Sequence, residues 1–527
     1  MSKSVSEKES PLLDPDVQTL PRVLTRFNAV TVVVGSIIGS GIFLKAQPVA
    51  EGLGSFGPIM AIWIIVGLVT LCGALALAEL AAMLPHAGGP YIYLREAYGR
   101  LPAFLWGWTE FWIIRTGSLG ALACATVIYA NKLCEASEAY GWLPPWLADH
   151  VPLSHNMQGF ISLLLILIVS LINVIGTRWA AWVQNVTSVV KVAFLVFLIV
   201  APFVLFRADT GNLQPMWPKE WGVAFWRAMG VAMIAVFWPY DGWINIGPVA
   251  EEIRDPQRNV PYALTIGMAI VITLYLGANA SYHLVLPMNT IATSGAVASD
   301  VTQQLLGKIG LWVAALGVMF STFGALNSNL LAGPRIYFAM ARDGLFPAAI
   351  RKVHPRFQTP ANAVIAQMLW SLVLVVGAYA WTAPKAVTEP SVPAAVAAEV
   401  EHASETPAAE PVKFTLQQWI RQAFIPKTGP DKAFDALTNL VIFGGSIFYA
   451  MAVGAVFILR FTRPELPRPY KTWGYPLTPA FYLLVFAGAL VSMLLDALPQ
   501  TAVGSVIIVA GVIVYFLVAK PPVEVRT

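Results

Sequence analysis

The chain has 527 residues, of which 57% are hydrophobic and 12% charged, with 33 Lys+Arg against 29 Asp+Glu and a net charge of +4. A typical soluble protein carries about 25% charged residues and about 45–50% apolar ones, so one soluble core cannot hide this much apolar surface and the charges are too few to coat several cores. Disorder and collagen are excluded, and three cysteines are too few for a disulfide scaffold. A polytopic membrane protein remains. At ~20 apolar residues per crossing, the composition suggests about a dozen spans in a lipid bilayer, and the small net charge gives no reason to expect nucleic acid as a partner.

Residues 1–27 are polar with mixed charge, unlike a cleavable signal peptide, and read as a cytoplasmic tail. Twelve apolar stretches follow, at about 28–50, 57–83, 101–132, 157–176, 180–206, 223–250, 262–286, 309–340, 361–381, 435–460, 476–497 and 500–519. They group as five spans in 28–208, five in 222–460 and two in 476–519, with a short tail at 520–527. The second group is interrupted by residues 382–434, which are rich in Ala, Pro and Glu before an amphipathic piece, FTLQQWIRQAF. This loop reads as a surface insertion on the outer side, disordered at first. With both termini inside, nineteen of the 33 Lys+Arg fall in inner segments, against about eleven in outer ones. The positive-inside rule therefore favours cytoplasmic termini.

The cysteines and histidines say little. Cys72 and Cys124 sit within spans, and Cys134 lies near the outer end of span three. His86 and His354 are in loops and His283 is alone in span seven, so no metal cluster is expected. The Asn185 and Asn279 sequons lie in or beside spans and are expected to stay unmodified.

Two spans are interrupted. Span one contains Gly35, Gly39, Ser40 and Gly41 in mid-membrane, and each Gly lowers helix propensity by ~1 kcal/mol relative to Ala. Span six contains Pro239, Asp241, Gly242, Gly247 and Pro248, and a proline inside a helix costs ~3 kcal/mol. Such breaks are tolerated in lipid only where they face protein or a wet cavity. They stand first in each group of five, and because five is odd the second group is inverted. Paired breaks at matching positions point to a transporter's central site, the alternative being small-residue packing faces. Free N–H groups around Ser40, Gly41 and Ile42 suit a carboxylate. Free carbonyls near Ile37, Trp238 and Asp241 suit an ammonium. Together they fit an α-amino acid zwitterion.

Gly-Ser-Ile-Ile-Gly-Ser-Gly-Ile-Phe at 35–43 resembles the first-span signature of the L-type amino acid transporter family, within the amino acid–polyamine–organocation superfamily. Further blocks agree in order: AELAAMLPHAGGPYIYLREAYG (78–99), LPAFLWGWTEFWIIR (101–115), WPYDGWINIGPVAEEIRDPQRNVP (238–261), FSTFGALNSNLLAGPRIYFAMARDGLFP (320–347), HPRFQTP (354–360) and RPELPRP (463–469). The resemblance implies an all-α LeuT-like fold of five plus five inverted spans with two more, transport by alternating access, and no cofactor. It implies substrate contacts from Ile37, Gly39, Ser40, Gly41 and Ile42 in span one and from Trp238, Asp241 and Gly242 in span six, with Trp238 as the gate. Asp241 alternatively reads as a protonatable coupling group.

Lys191 lies about ten residues inside span five, ~15 Å from its inner end, too deep to snorkel easily. A lysine at a helix centre costs at least ~2.5 kcal/mol on insertion scales. It matches the family's fifth-span lysine, whose ammonium takes the place of a sodium ion and links span one to span eight. Ser321 is its expected partner there, and sodium-independent transport is the implied consequence.

Glu79, Glu110, Arg115 and Arg335 fit the family blocks and read as structural charges. Glu110 and Arg115 are five apart, about 140° around an α-helix, so each is expected to pair with another span. Many animal members carry Asn after the span-six Gly-Trp, where this chain has Ile244 followed by Asn245, so a pocket contact is lost or moved. No clear motif surrounds Cys134 to tether the single-span glycoprotein of animal members, and a bacterial-type member is expected. A membrane amino-acid sensor and a proton-coupled symporter are the rival readings. An intramembrane enzyme is disfavoured because no nucleophile–base or metal constellation is evident.

Overall fold

A computed structural model describes residues 20–139, 141, 151–382, 430–496 and 498–518. The expected tail through residue 19, residues 383–429 of the insertion and the 520–527 tail lie outside the described residues. Among the described residues there is no strand, only an isolated bridge between Leu24 and Ile253.

Ten described helices are long and apolar enough to cross a membrane. In order these spans cover Arg26–Leu44, Phe56–Met83, Arg100–Glu135, His155–Ile175, Thr177–Val204, Val223–Ile246, Pro256–Val285, Lys308–Arg342, Ala361–Ala380 and Gly444–Thr462. Two further helices, Leu477–Asp496 and Leu498–Val518, carry shorter described apolar stretches. Spans four, five and nine are largely exposed along one side, as lipid-facing helices must be, and expose Phe160, Leu171, Val189 and Leu369. Span three is buried over most of its length at the centre of the bundle.

The packing partners reveal the repeat. Span one packs on span seven and span six on span two; span three packs on span ten and span eight on span five. Spans two and seven, three and eight, and four and nine each pack on their own counterpart. A pseudo-twofold axis exchanging each of the first five spans with the one five later produces this pattern. Five being odd, the second unit runs opposite to the first.

Three short helices escaped the sequence reading because they are too short to register as spans. Pro90–Tyr98 links spans two and three, with proline at the first helical position. Met288–Thr293 and Val297–Leu306 lie between spans seven and eight. Span six also differs from expectation beyond its break. The chain does not resume an α-helix but continues in 3-10 turns at Trp243–Ile246 and Ala250–Glu252. Gly247 and Pro248 fall between those turns and account for the failure to rewind.

Candidate functional site

Span one is helical over Arg26–Ile37 and stops where Ile38 turns to extended backbone. The helix restarts at Gly41–Leu44 and runs on through Ala46–Leu53. The N–H groups of Gly39, Ser40, Gly41 and Ile42 have no backbone acceptor among the described residues. Four donors at a helix start, with the partial positive charge of that end, have the chemistry that suits an anion.

Span six is helical from Val223 to Tyr240, so Pro239 sits in its last turn rather than at the break. The chain then extends at Asp241 and takes a left-handed turn at Gly242, φ +109°. A Cβ at Gly242 would be strained and would lie 2.7 Å from the Ser36 carbonyl oxygen, so only glycine lets this turn sit on the end of span one. Across the breaks, Gly41 approaches span six so closely that a Cβ would fall 2.7 Å from Pro239 Cα. The Tyr275 hydroxyl of span seven lies 3.0 Å from the Ile37 carbonyl oxygen and 2.9 Å from that of Pro239, tying the two breaks together.

A cavity lies between the breaks, with about 40 Å³ of space for water centres. Ile37, Gly39, Ser40 and Gly41 of span one and Trp238, Asp241 and Gly242 of span six border it. Ile42, Lys191 and Ser321 do not; Ile42 is fully buried. Arg115, Asn245, Asn329 and Tyr449 border it as well. Tyr449 of span ten donates to Asp241 Oδ1 at 2.9 Å. Asn245 lines the cavity, while Ile244 is fully buried and does not border it. Ser40 Oγ and Asn245 Oδ1 are buried without a hydrogen-bond partner among the described residues.

Lys191 is fully buried behind span one. Its ammonium donates to the carbonyls of Gly35 at 3.0 Å, Ile38 at 2.6 Å and Ser321 at 3.0 Å. All three protons are used, and the charge sits on partial negative charges at the end of the first half of span one. Ser321 Oγ lies 3.3 Å from the Ile38 carbonyl oxygen and 3.0 Å from that of Gly39. Spans five and eight thus meet at the same break.

The Glu110–Arg115 expectation is corrected. The two pair directly, through Arg115 Nε and Nη2 on the two carboxylate oxygens. Residues Glu110–Ile114 form one turn of π-helix. Its wider turn brings residues five apart onto one face, whereas the 140° separation assumed an unbroken α-helix. Arg115 also donates to Asn329 Oδ1 at 3.1 Å. Glu79 pairs with Arg460, and Arg335 with Glu252 through Nε at 2.8 Å, both partners of the latter pair being fully buried.

Contacts between the two five-span units flank the cavity on both sides. Toward the start of span one, Leu24 bridges to Ile253, and Thr177 joins the Arg335–Glu252 pair through its hydroxyl. Arg342 meets Glu251, whose carboxylate also accepts from the backbone N–H groups of Leu20 and Ala87. On the opposite side, Trp238 borders the cavity and Gly41 packs closely against Pro239.

Inverted five-helix units whose broken spans meet at a mid-bundle cavity define the class of secondary transporters. A family model described as amino acid permease matches residues 24–518, and the chain belongs to that family. It is 29% identical to the serine/threonine exchanger SteT of Bacillus subtilis over 498 residues, covering 93% of this chain and 95% of that protein. It is 27% identical to the mouse large neutral amino acids transporter small subunit 2 over 491 residues, covering 93% of this chain and 80% of that one. It is 26% identical to the cystine/glutamate transporter of Pongo abelii over 522 residues, covering 98% of this chain and 88% of that one.

Proposed function

We propose that the protein is a sodium-independent amino acid transporter, an exchanger or permease that moves an α-amino acid by alternating access. The observation that carries this reading is that the two breaks face one cavity, amide donors from span one on one side and the extended Asp241 backbone on the other. The substrate carboxylate sits on the N–H groups of Gly39, Ser40, Gly41 and Ile42. The ammonium sits on carbonyls beside Ile37, Trp238, Asp241 and Gly242. Trp238 is the gate on the side away from Leu24. The Arg335–Glu252 and Arg342–Glu251 contacts close the other side and must part when the site opens there.

Lys191 and Ser321 are the coupling residues. A fixed ammonium on the Gly35, Ile38 and Ser321 carbonyls does the work a sodium ion would do there, so the cycle needs none. Transport involves no covalent step and no cofactor. The multi-pass chain is assigned to the cell membrane with both termini cytoplasmic, and a disulfide-linked single-span partner is not part of the reading. Proton coupling is the second reading, favoured by the Asp241 carboxyl at the cavity wall. The test is uptake of labelled amino acids into proteoliposomes, with and without internal amino acid and with or without a pH gradient. Uptake that rises with internal amino acid indicates exchange; uptake that follows the proton gradient indicates symport; no uptake of any amino acid refutes the assignment.

A further inference from the structure

Three stretches meet where span one begins: residues 20–27, residues 177–185 of span five and residues 253–262 leading into span seven. They hold five exposed arginines, Arg22, Arg26, Arg178, Arg254 and Arg258, against one exposed acid, Asp255. We propose that this surface docks the headgroup of an anionic phospholipid, with Arg26 as its central contact. Position, an unspent guanidinium and the surface pattern above it each support the assignment.

Position comes first. Spans one, five and seven pack on one another, and polar contacts fix their meeting. Arg26 Nε donates to Asn259 Oδ1 of span seven at 2.7 Å. Asn28 Nδ2 and the Thr31 hydroxyl donate to Asn185 Oδ1 of span five at 3.2 and 2.6 Å. The Arg254 N–H donates to the Leu24 carbonyl at 2.9 Å, which holds the second pair of arginines beside the first. Spans five and seven have 28 and 30 residues. At 1.5 Å per residue they are roughly 42–45 Å long, against a hydrocarbon core of ~30 Å, so their first turns reach the headgroup layer.

Arg26 is aimed but not spent. Its Nε is fixed by Asn259, and its guanidinium lies over the Tyr262 ring, 5.1 Å from the centroid. Its two terminal nitrogens have no hydrogen-bond partner among the described residues, unlike those of the paired Arg335 and Arg342. A planar fork with two free donors matches a phosphate. A choline or ethanolamine headgroup would bring its own cation to this surplus of arginines, so the charge favours a headgroup with net negative charge.

The surface above the arginines continues in the order of a phospholipid. On span five, Arg178, Trp182, Val186 and Val189 follow at helical spacing along one exposed stripe. On span seven, Arg258, Tyr262 and Ile266 do the same. Each stripe runs from cation through aromatic to aliphatic, matching phosphate, glycerol region and acyl chain in turn. Span one lies between the two and contributes the exposed Phe27.

The experiment is melting of the full chain in detergent with added dioleoylphosphatidylglycerol, dioleoylphosphatidylcholine or inorganic phosphate at one ionic strength. A headgroup tying the starts of spans one and seven stabilises the folded state, so phosphatidylglycerol is expected to raise the midpoint by about 3 °C or more beyond phosphatidylcholine. The double variant Arg26→Gln/Arg258→Gln is expected to lose at least half of that difference. Arg351→Gln, an exposed arginine between spans eight and nine, is expected to keep it. Arg26→Gln alone is expected to lose a smaller share, and it decides if the double variant does not fold. Equal shifts from the two lipids overturn the proposal, as does a difference kept in full by the arginine variants. A shift reproduced by inorganic phosphate alone means a small-anion site and overturns the lipid assignment. Binding is read without transport, so none of these outcomes bears on the transport reading.

Discussion

Replacing Lys191 with methionine removes one charge and three hydrogen bonds while keeping most of the side-chain volume. Charge-assisted hydrogen bonds contribute ~1.5–3 kcal/mol each net of desolvation, so losing the three bonds to Gly35, Ile38 and Ser321 costs up to roughly 5–9 kcal/mol. Methionine fills most of the vacated space and buries no charge, which offsets part of that loss. Lys191→Met is therefore expected to fold with a lowered melting temperature in detergent. What is lost is local: the carbonyls at the break of span one no longer share a donor with span eight. Exchange in proteoliposomes is therefore expected to fall at least about 100-fold, equivalent to about 2.7 kcal/mol at 1.36 kcal/mol per factor of ten. Lys191→Ala adds a cavity beside the break and is expected to be less stable as well as inactive. A well-folded Lys191→Met that exchanges at more than half the normal rate refutes the role assigned to this lysine.

Arg335→Ala leaves the fully buried Glu252 carboxylate unpaired and is expected to destabilise the protein by about 3–5 kcal/mol; thermal melts should show a large loss, partly recovered by adding Glu252→Gln. Gly41→Ala places a Cβ 2.7 Å from Pro239 Cα, so it should force spans one and six apart and sharply reduce exchange, measured against expression and melting controls. His86 lies in the loop after span two, where burial, with Arg342 and Arg95 nearby, holds its imidazole below the ordinary 6.5. Because its folded pKa is depressed, its share of stability is full above about pH 6.5 and falls as the pH drops below that value. Melting of His86→Gln followed from pH 7.5 to 5 is expected to change less with pH than melting of the unaltered protein.

The breaks were legible in the sequence because they are failures of a strong pattern. Gly39-Ser40-Gly41 and Asp241-Gly242 interrupt long apolar runs, and the helices end there. Lys191 was legible for the same reason, a charge where none is tolerated without partners. The Glu110–Arg115 pair was misread because the angular arithmetic assumed an uninterrupted α-helix, and a π-turn leaves no mark in composition. Tyr275 and Tyr449 were not legible at all. An aromatic residue in a span usually packs, and only the tertiary fold brings their hydroxyls to the Ile37 and Pro239 carbonyls and to the Asp241 carboxylate. Asn245 was half legible: the departure at Ile244 was visible, but which of the two faces the cavity depends on the 3-10 turn.

The central claim is amino acid transport through the two breaks with an ammonium where sodium would otherwise sit. The most direct measurement is exchange of labelled amino acid in proteoliposomes with all sodium replaced by choline. Unchanged exchange in choline, abolished in Lys191→Met, is the predicted result. Exchange by the unaltered protein that collapses when sodium is removed would contradict it.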